Sequence, residues 1–311
     1  MKQLLTKLPT KKQIEKELCE RSLSEYFKYA WRVVEPSTEL KWNWHVDAIS
    51  EYLQAVKDGQ IKRLLINVPP RMLKSKACTI MFPTWCWISD PHLKFINLSY
   101  SDSLSKGHNI EKRDIVTSDW YQGHWGDRFQ LKDDLNTQKK FVNDKFGSMF
   151  STSIGGTLTG EGADIIVVDD PHNPKQANSD AERTNAVEFF RTTLQTRLND
   201  PSEEAIIVVM QRLHEMDVSG HILAKESGYT HLKLPMEEVE TKKIILPVSK
   251  KEILREKGDL LHEDRYDRAA VEELKKSMGS YAYSGQMQQE PVPAGGGMFK
   301  EWWWEYWNPI S

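Results

Sequence analysis

The sequence predicts an α/β fold with a mostly parallel central sheet flanked by helices, and two observations carry that expectation. Short, nearly continuous apolar runs recur along the chain, at 61–68 (IKRLLINV), 93–99 (LKFINLS), 148–153 (SMFSTS), 163–170 (ADIIVVDD), 204–210 (EAIIVVM) and 230–235 (THLKLP). A strand that is apolar at consecutive rather than alternate positions is buried on both faces, as strands of a parallel sheet are. The runs also alternate with segments of helical length, at 74–88, 101–117, 179–198 and 217–225. Such alternation marks crossovers that cover both sides of the sheet. Upstream, 13–34 reads as helix, with Ile14, Leu18, Leu23, Phe27 and Ala30 at near-helical spacing. Pro36 ends that run, and a second helix over 45–56 closes at Asp58-Gly59. After about residue 236 the pattern turns charged and irregular, and the Pro/Gly tract PVPAGGG (291–297) reads as a linker.

Composition removes several classes of function. A chain of 311 residues with 39% hydrophobic and 28% charged content is an ordinary globular composition with room for a large core. No apolar run approaches the ~20 residues of a membrane helix, and the N-terminus MKQLLTKLPTKKQ lacks the apolar segment of a secretory signal. Cys19, Cys78 and Cys86 form no CxxC pair and no metal-ligand spacing, which fits a reducing, cytoplasmic setting. Lys and Arg number 42 against 45 Asp and Glu, a net charge of −3, so no global positive field draws in nucleic acid. DNA would be met through a local patch or an assembled surface. Trp302, Trp303, Trp304 and Trp307 crowd the C-terminal end, where WWWEYW is expected to fold back or mark a docking edge.

The chemistry is expected where strands meet loops. IKRLLINVPPRMLKSK is a buried strand, a tight turn, and then Lys74-Ser75 opening a helix. A phosphate-holding loop needs backbone N–H groups converging on an anion at a helix N-terminus. It also needs a lysine for the outer phosphates and a hydroxyl for Mg²⁺. Lys74 and Ser75 supply these, with Pro69, Pro70, Arg71, Met72 and Leu73 forming the turn. Val68 and Leu73 stand where the pattern GxxxxGKS has its glycines, so the bare pattern fails, and a solvated lysine at a helix start is the plainer reading. IIVVDD (165–170) ends a strand in two acids, at the sheet edge where open α/β folds bind ligands. Asp169 suits a Mg²⁺ coordination sphere and Asp170 suits polarisation of an attacking water, although Asp-Asp-Pro-His is also good turn chemistry. Together the two motifs favour a nucleoside triphosphatase.

These residues resemble those of the large terminase subunits of tailed phages. VPPRMLKS (68–75) is similar to that family's variant Walker A, IIVVDDPH (165–172) to its Walker B, and MQRLHEMD (210–217) to the segment after its coupling strand. GGTLTGEGAD (155–164), GDLLHEDRY (258–266) and YSGQMQQEPVPAGGGMF (283–299) match its texture, so the resemblance runs from about residue 40 to 307. It implies a P-loop NTPase of ASCE/RecA-like type with a small helical lid subdomain. Residues 1–58 would be the N-terminal lid and adenine-side segment, 59–236 the ATPase core, 237–290 the rest of the lid, and 291–311 a linker toward an absent nuclease domain.

The resemblance further implies catalytic roles for Lys74, Asp170 and Arg71, and an ATP site formed by Pro69, Pro70, Arg71, Met72, Leu73, Lys74 and Ser75. Trp44 and His45, from KWNWH (41–45), would contact the adenine. Ser75 and Asp169 would hold Mg²⁺. Gln211 and Arg212 would couple loss of the γ-phosphate to the rest of the molecule, with Glu215 or Asp217 as competing ion-pair partners for Arg212. ATP and Mg²⁺ are the implied cofactors. The implied function is a motor that drives double-stranded viral DNA into a procapsid in the host cytoplasm. Portal protein, small terminase subunit and further copies of this chain in a ring are its implied partners, with no membrane involved. Lys139-Lys140, or Lys106 with Lys112-Arg113, would line the pore collectively.

Two departures stand out. Asp170 occupies a place where many such ATPases carry the longer Glu, and Glu161 in TGEGAD occupies one where relatives often carry an Arg that reaches a neighbouring subunit. Arg183, Arg191 and Arg197 become the candidates for that trans-acting charge. Nuclease activity is not expected, because no room remains for a nuclease domain. The alternatives are a superfamily-2-like helicase, which needs a second RecA-like domain, and a catalytically silent nucleotide-binding assembly module, which the missing glycines and Asp170 allow.

Overall fold

The structure, a computed structural model, describes residues 8–292; the tryptophan cluster and most of the expected linker lie outside the described residues. Three helices come first: α1 (Lys11–Arg21), α2 (Leu23–Val34) and α3 (Trp44–Lys57). The single helix expected over 13–34 is therefore two. Ser22 takes an extended backbone that ends α1, and its hydroxyl accepts from the Glu25 N–H to cap α2.

The chain enters the sheet with β1 (Arg63–Asn67) and returns through a π-helical turn, Lys76–Met81, into α4 (Phe82–Ser89). Pro83 in the first turn of α4 has no N–H to donate back up the helix, and the wider turn before it absorbs that gap. Then follow β2 (Lys94–Ser99), α5 (Asp102–Thr117), α6 (Asp119–Trp125), β3 (Leu131–Asn136), β4 (Lys140–Asn143), β5 (Ser148–Ser153) and β6 (Ile165–Asp169). α7 (Asp180–Glu188) leads through two irregular turns to β7 (Ala205–Met210), α8 (Val218–Lys225) and β8 (Thr230–Lys233). The described chain closes with a separate hairpin, β9 (Lys242–Ile245) and β10 (Glu252–Arg255), and with α9 (Arg268–Gln286), which bends at Gly279 (φ 72°).

The main sheet has eight strands in the order β3-β4-β5-β2-β6-β7-β1-β8. Every pair from β5 to β8 is parallel, and β4 and β3 extend one edge antiparallel. The six apolar runs of the sequence are the six parallel strands. Alternate residues feed two cores. On one face Leu64, Ile66, Ile165, Val167, Ile207 and Val209 pack with α2, α3 and α4; on the other Leu65, Ile166, Val168, Ile206 and Val208 pack with Phe190, Leu194 and Ile222. The region after 236, expected to be irregular, holds the hairpin and the 19-residue helix α9. Few side chains of α9 are buried, Val271 and Tyr283 among them, so its apolar stripe is too thin to show in sequence.

Candidate functional site

The strand order places β7 between β6 and β1, so three adjacent strands deliver their C-terminal ends to one edge. Lys74 follows β1 through the loop, Asp169 and Asp170 end β6, and Gln211 ends β7. The Lys74 Nζ lies 2.9 Å from Asp170 Oδ2, and the Gln211 N–H donates to Asp170 Oδ1 at 3.2 Å. Asp169 Oδ2 accepts from the Thr79 hydroxyl at 2.8 Å, with His108 Nδ1 3.8 Å away. Burial acts to lower the pKa of Lys74, but the charges of Asp170 and Asp169 outweigh it and hold the ammonium above the ordinary lysine value. Burial raises both carboxyls, against the pull of Lys74 and, at Asp169, of the Ser75 and Thr79 hydroxyls.

The loop reaches this geometry without glycine. Arg71 (φ 65°) and Leu73 (φ 62°) hold left-handed conformations, and so does Asp170 (φ 46°). Leu73 stands where GxxxxGKS has its second glycine. Each such residue costs roughly 1–2 kcal/mol, which the surrounding packing must outweigh.

Above this edge opens a cavity of about 1000 Å³. Its lining includes Pro70, Arg71, Leu73, Lys74, Ser75, Asp170 and Gln211 from the sheet edge, and Trp31, Leu40, Lys41, Arg265 and Tyr266 from the segments before α3 and before α9. Mg²⁺ takes one or two protein oxygens and draws the rest from phosphates and water. Asp169 Oδ1 is buried with no hydrogen-bond partner among the described residues, and the Ser75 hydroxyl is near the carboxylate, so this donor set fits the ion.

No protein-family model matches the sequence, and no curated protein matches it. Solved structures match the fold. A variant ATPase domain of the Thermus phage P74-26 large terminase has a TM-score of 0.50 at 12% identity, over 77% of this chain and 93% of that one. The fold is that of a terminase ATPase domain. The HK97 bacteriophage large terminase matches at TM-score 0.46 and 8% identity, over 70% of this chain and 44% of its own. The large terminase of a thermophilic bacteriophage in complex with ADP matches at 0.39 and 10%, over 77% of this chain and 50% of its own. The chain thus spans about half the length of these whole terminases.

Within the terminase fold several expected contacts are corrected. His45 is fully buried, 5.4 Å from the His262 ring. Burial, then the neighbouring His262, pushes its pKa down to about 3. Trp44 lies against the Arg255 guanidinium, 4.9 Å from ring to charge. Asn43 caps α3, accepting the Trp44 N–H, and so turns both residues into the first helical turn and away from the cavity. Arg265 and Tyr266 line the wall instead; they sit in GDLLHEDRY, a segment marked by resemblance but given no role. Pro69 is buried, and the Met72 side chain packs in the core, so neither lines the cavity with its side chain.

The Arg212 guanidinium also turns away. Its Nε donates to both carboxylate oxygens of Asp217, at 2.9 and 3.1 Å, and its Nη2 to the His214 and Glu215 carbonyls. Of the two residues expected to couple, Gln211 alone lines the cavity, with its Oε1 buried and without a partner among the described residues. Arg183 is buried, held by Asp180 and the Ala177 carbonyl, and Arg197 donates to the Leu158 carbonyl, while Arg191 is exposed. Of the basic patches, Lys112 is fully buried, Lys106 pairs with Asp102, and Lys140 pairs with Glu161 at 2.8 Å.

Proposed function

We propose that the chain is an ATP-hydrolysing motor subunit of the terminase type, which drives double-stranded viral DNA into a procapsid. The observation that carries this reading is the buried Lys74 facing Asp169-Asp170 at the end of a nucleotide-sized cavity. The triphosphate lies along the loop from Pro70 to Ser75, with Lys74 on the β- and γ-phosphates and Arg71 at the rim adding charge near the γ-phosphate. Ser75 and Asp169 would hold Mg²⁺, which would offset phosphate charge in the transition state. As the phosphates draw Lys74 toward them, Asp170 is released to orient a water and take its proton. The water oxygen bonds the γ-phosphorus, the bond to the bridging oxygen breaks, and ADP leaves. The Gln211 amide faces the lost phosphate and passes the change to the turn behind it. Tyr266, Arg265 and Leu40 pack the base.

The motor works in a ring on the portal, with the small terminase subunit, in the host cytoplasm. No helix among the described residues is long and apolar enough to cross a membrane. Phosphate release by the wild type, Lys74→Ala and Asp170→Asn tests the enzymatic step. The expected result is turnover by the wild type and a loss of about 10²–10³-fold in each variant. Equal, slow release from all three leaves only a silent nucleotide-binding module.

A further inference from the structure

The turn that follows β7 is gripped from behind. The Gln211 N–H donates to Asp170, and the next N–H, that of Arg212, donates to the side-chain Oε1 of Gln289 at 3.0 Å. Gln289 lies just past α9, only 1% exposed, and does not line the cavity. Its Nε2 donates to the Gln286 carbonyl at 2.5 Å, its N–H to the Gly285 carbonyl at 2.9 Å, and its backbone is left-handed (φ 57°). A residue kept in that conformation without being glycine is over-determined by its surroundings. Its neighbours are fixed as firmly. Gln288 accepts from the Glu237 N–H and donates to the Glu237 carbonyl, at 3.0 and 2.9 Å, and Glu290 pairs with Lys233. A Cβ on Gly285 would stand 3.2 Å from the Arg212 carbonyl oxygen, so helix end and turn are in close approach.

We propose that Gln289 is a positioning residue of the hydrolytic centre. By holding the Arg212 N–H it fixes the turn that carries the Gln211 N–H, and that N–H aims the Asp170 carboxylate. The Arg212 side chain cannot do this, because Asp217 and two carbonyls occupy it. Turnover then depends on a side chain that does not line the cavity. The inference rests on the hydrolysis reading above.

The test uses the full chain and three substitutions. Gln289→Met keeps the length and loses the acceptor, Gln289→Gly keeps the left-handed backbone and loses the side chain, and Gln289→Glu keeps the acceptor oxygen. The readouts are kcat, KM, the Kd of a fluorescent ATP analogue, and hydrogen exchange at residues 211–213. Small misplacements of catalytic groups cost up to ~10²-fold, so Met and Gly should each lower kcat about tenfold. Their analogue Kd should stay within about twofold and exchange at the turn should quicken, while Glu recovers most of the rate. A merely structural role would instead lower the folded fraction, with Glu worst because it buries a charge. Wild-type kcat in Met and Gly, or Glu no better than Met, overturns the proposal while leaving the hydrolysis reading intact. A wild type that does not hydrolyse ATP overturns both.

Discussion

The two walls of the cavity are built on different rules. The proposed phosphate wall is made of residue types that its chemistry leaves little choice about: an ammonium and a hydroxyl after β1 and two acids at the end of β6. Those two strands flank β7 in the sheet, and Gln211 joins the group just past β7. The side proposed to pack the base includes Trp31, Leu40, Lys41, Arg265 and Tyr266, from segments more than 200 residues apart that meet where Lys41 Nζ contacts the Asp264 carbonyl at 3.5 Å. Aromatic and aliphatic side chains of this kind serve a core equally well. In KWNWH the cap formed by Asn43 sends Trp44 and His45 to the core and leaves Lys41 at the cavity. The proposed phosphate site can thus be read from residue chemistry, whereas the proposed base site depends on which way a helix start faces.

The largest expected effects fall on the phosphate wall. Asp169→Asn should lower ATP turnover by about 10²–10³-fold, since it removes a charge from the proposed ion site. Rates within a few-fold of wild type, measured by coupled ADP release, would remove that wall's distinction. Next comes the contrast within the base wall. Tyr266→Ala should raise KM about tenfold with kcat little changed. Trp44→Ala should leave KM alone and destabilise the fold by roughly 2 kcal/mol, through lost packing and the lost Arg255 contact. Paired denaturation curves and Michaelis plots check both, and exchanged outcomes would reverse the assignment.

Acid sharpens the same contrast. His45 is held down to about 3 and His172 to about 4, each chiefly by burial, and His172 Nε2 accepts the Val218 N–H at 2.9 Å. Unfolded, both would protonate near 6.5. Their contribution to stability is therefore complete above about pH 6.5 and is lost as pH falls toward the folded values. The loss is about 1.4 kcal/mol per pH unit for each histidine. His45→Phe should flatten urea-measured stability between pH 6.5 and 4 without changing the pH dependence of nucleotide affinity; a change in affinity instead would put His45 at the base. The smallest effect is expected at Arg71, exposed and left-handed. Arg71→Gly should raise stability by about 0.5–1 kcal/mol while slowing turnover, which thermal melts beside rate measurements resolve.

The six parallel strands were legible because double-sided burial writes continuous apolar runs. β3 (LKDDLN) was not, because it is a mostly exposed edge strand whose polar residues meet water, and α6, β9, β10 and α9 gave no stronger signal. Of the candidate site residues, Lys74, Ser75, Asp169, Asp170 and Gln211, which meet at one sheet edge, were legible by type and place. The left-handed turn at Leu73 did not, since leucine seldom adopts it. Nor did Thr79, whose hydroxyl reaches Asp169 from the π-helical turn. Gln289 lay inside a recognised motif, but its bond to Arg212 joins residues 77 apart in sequence, a separation local pattern does not register.

The most direct measurement is a crystal structure of the full chain with Mn²⁺ in place of Mg²⁺ and a non-hydrolysable ATP analogue, with the metal located by anomalous scattering. The account predicts the outer phosphates on Lys74 and the metal peak between Ser75 and Asp169, with Tyr266 near the base. A triphosphate bound elsewhere, or a metal peak away from Asp169, would contradict it.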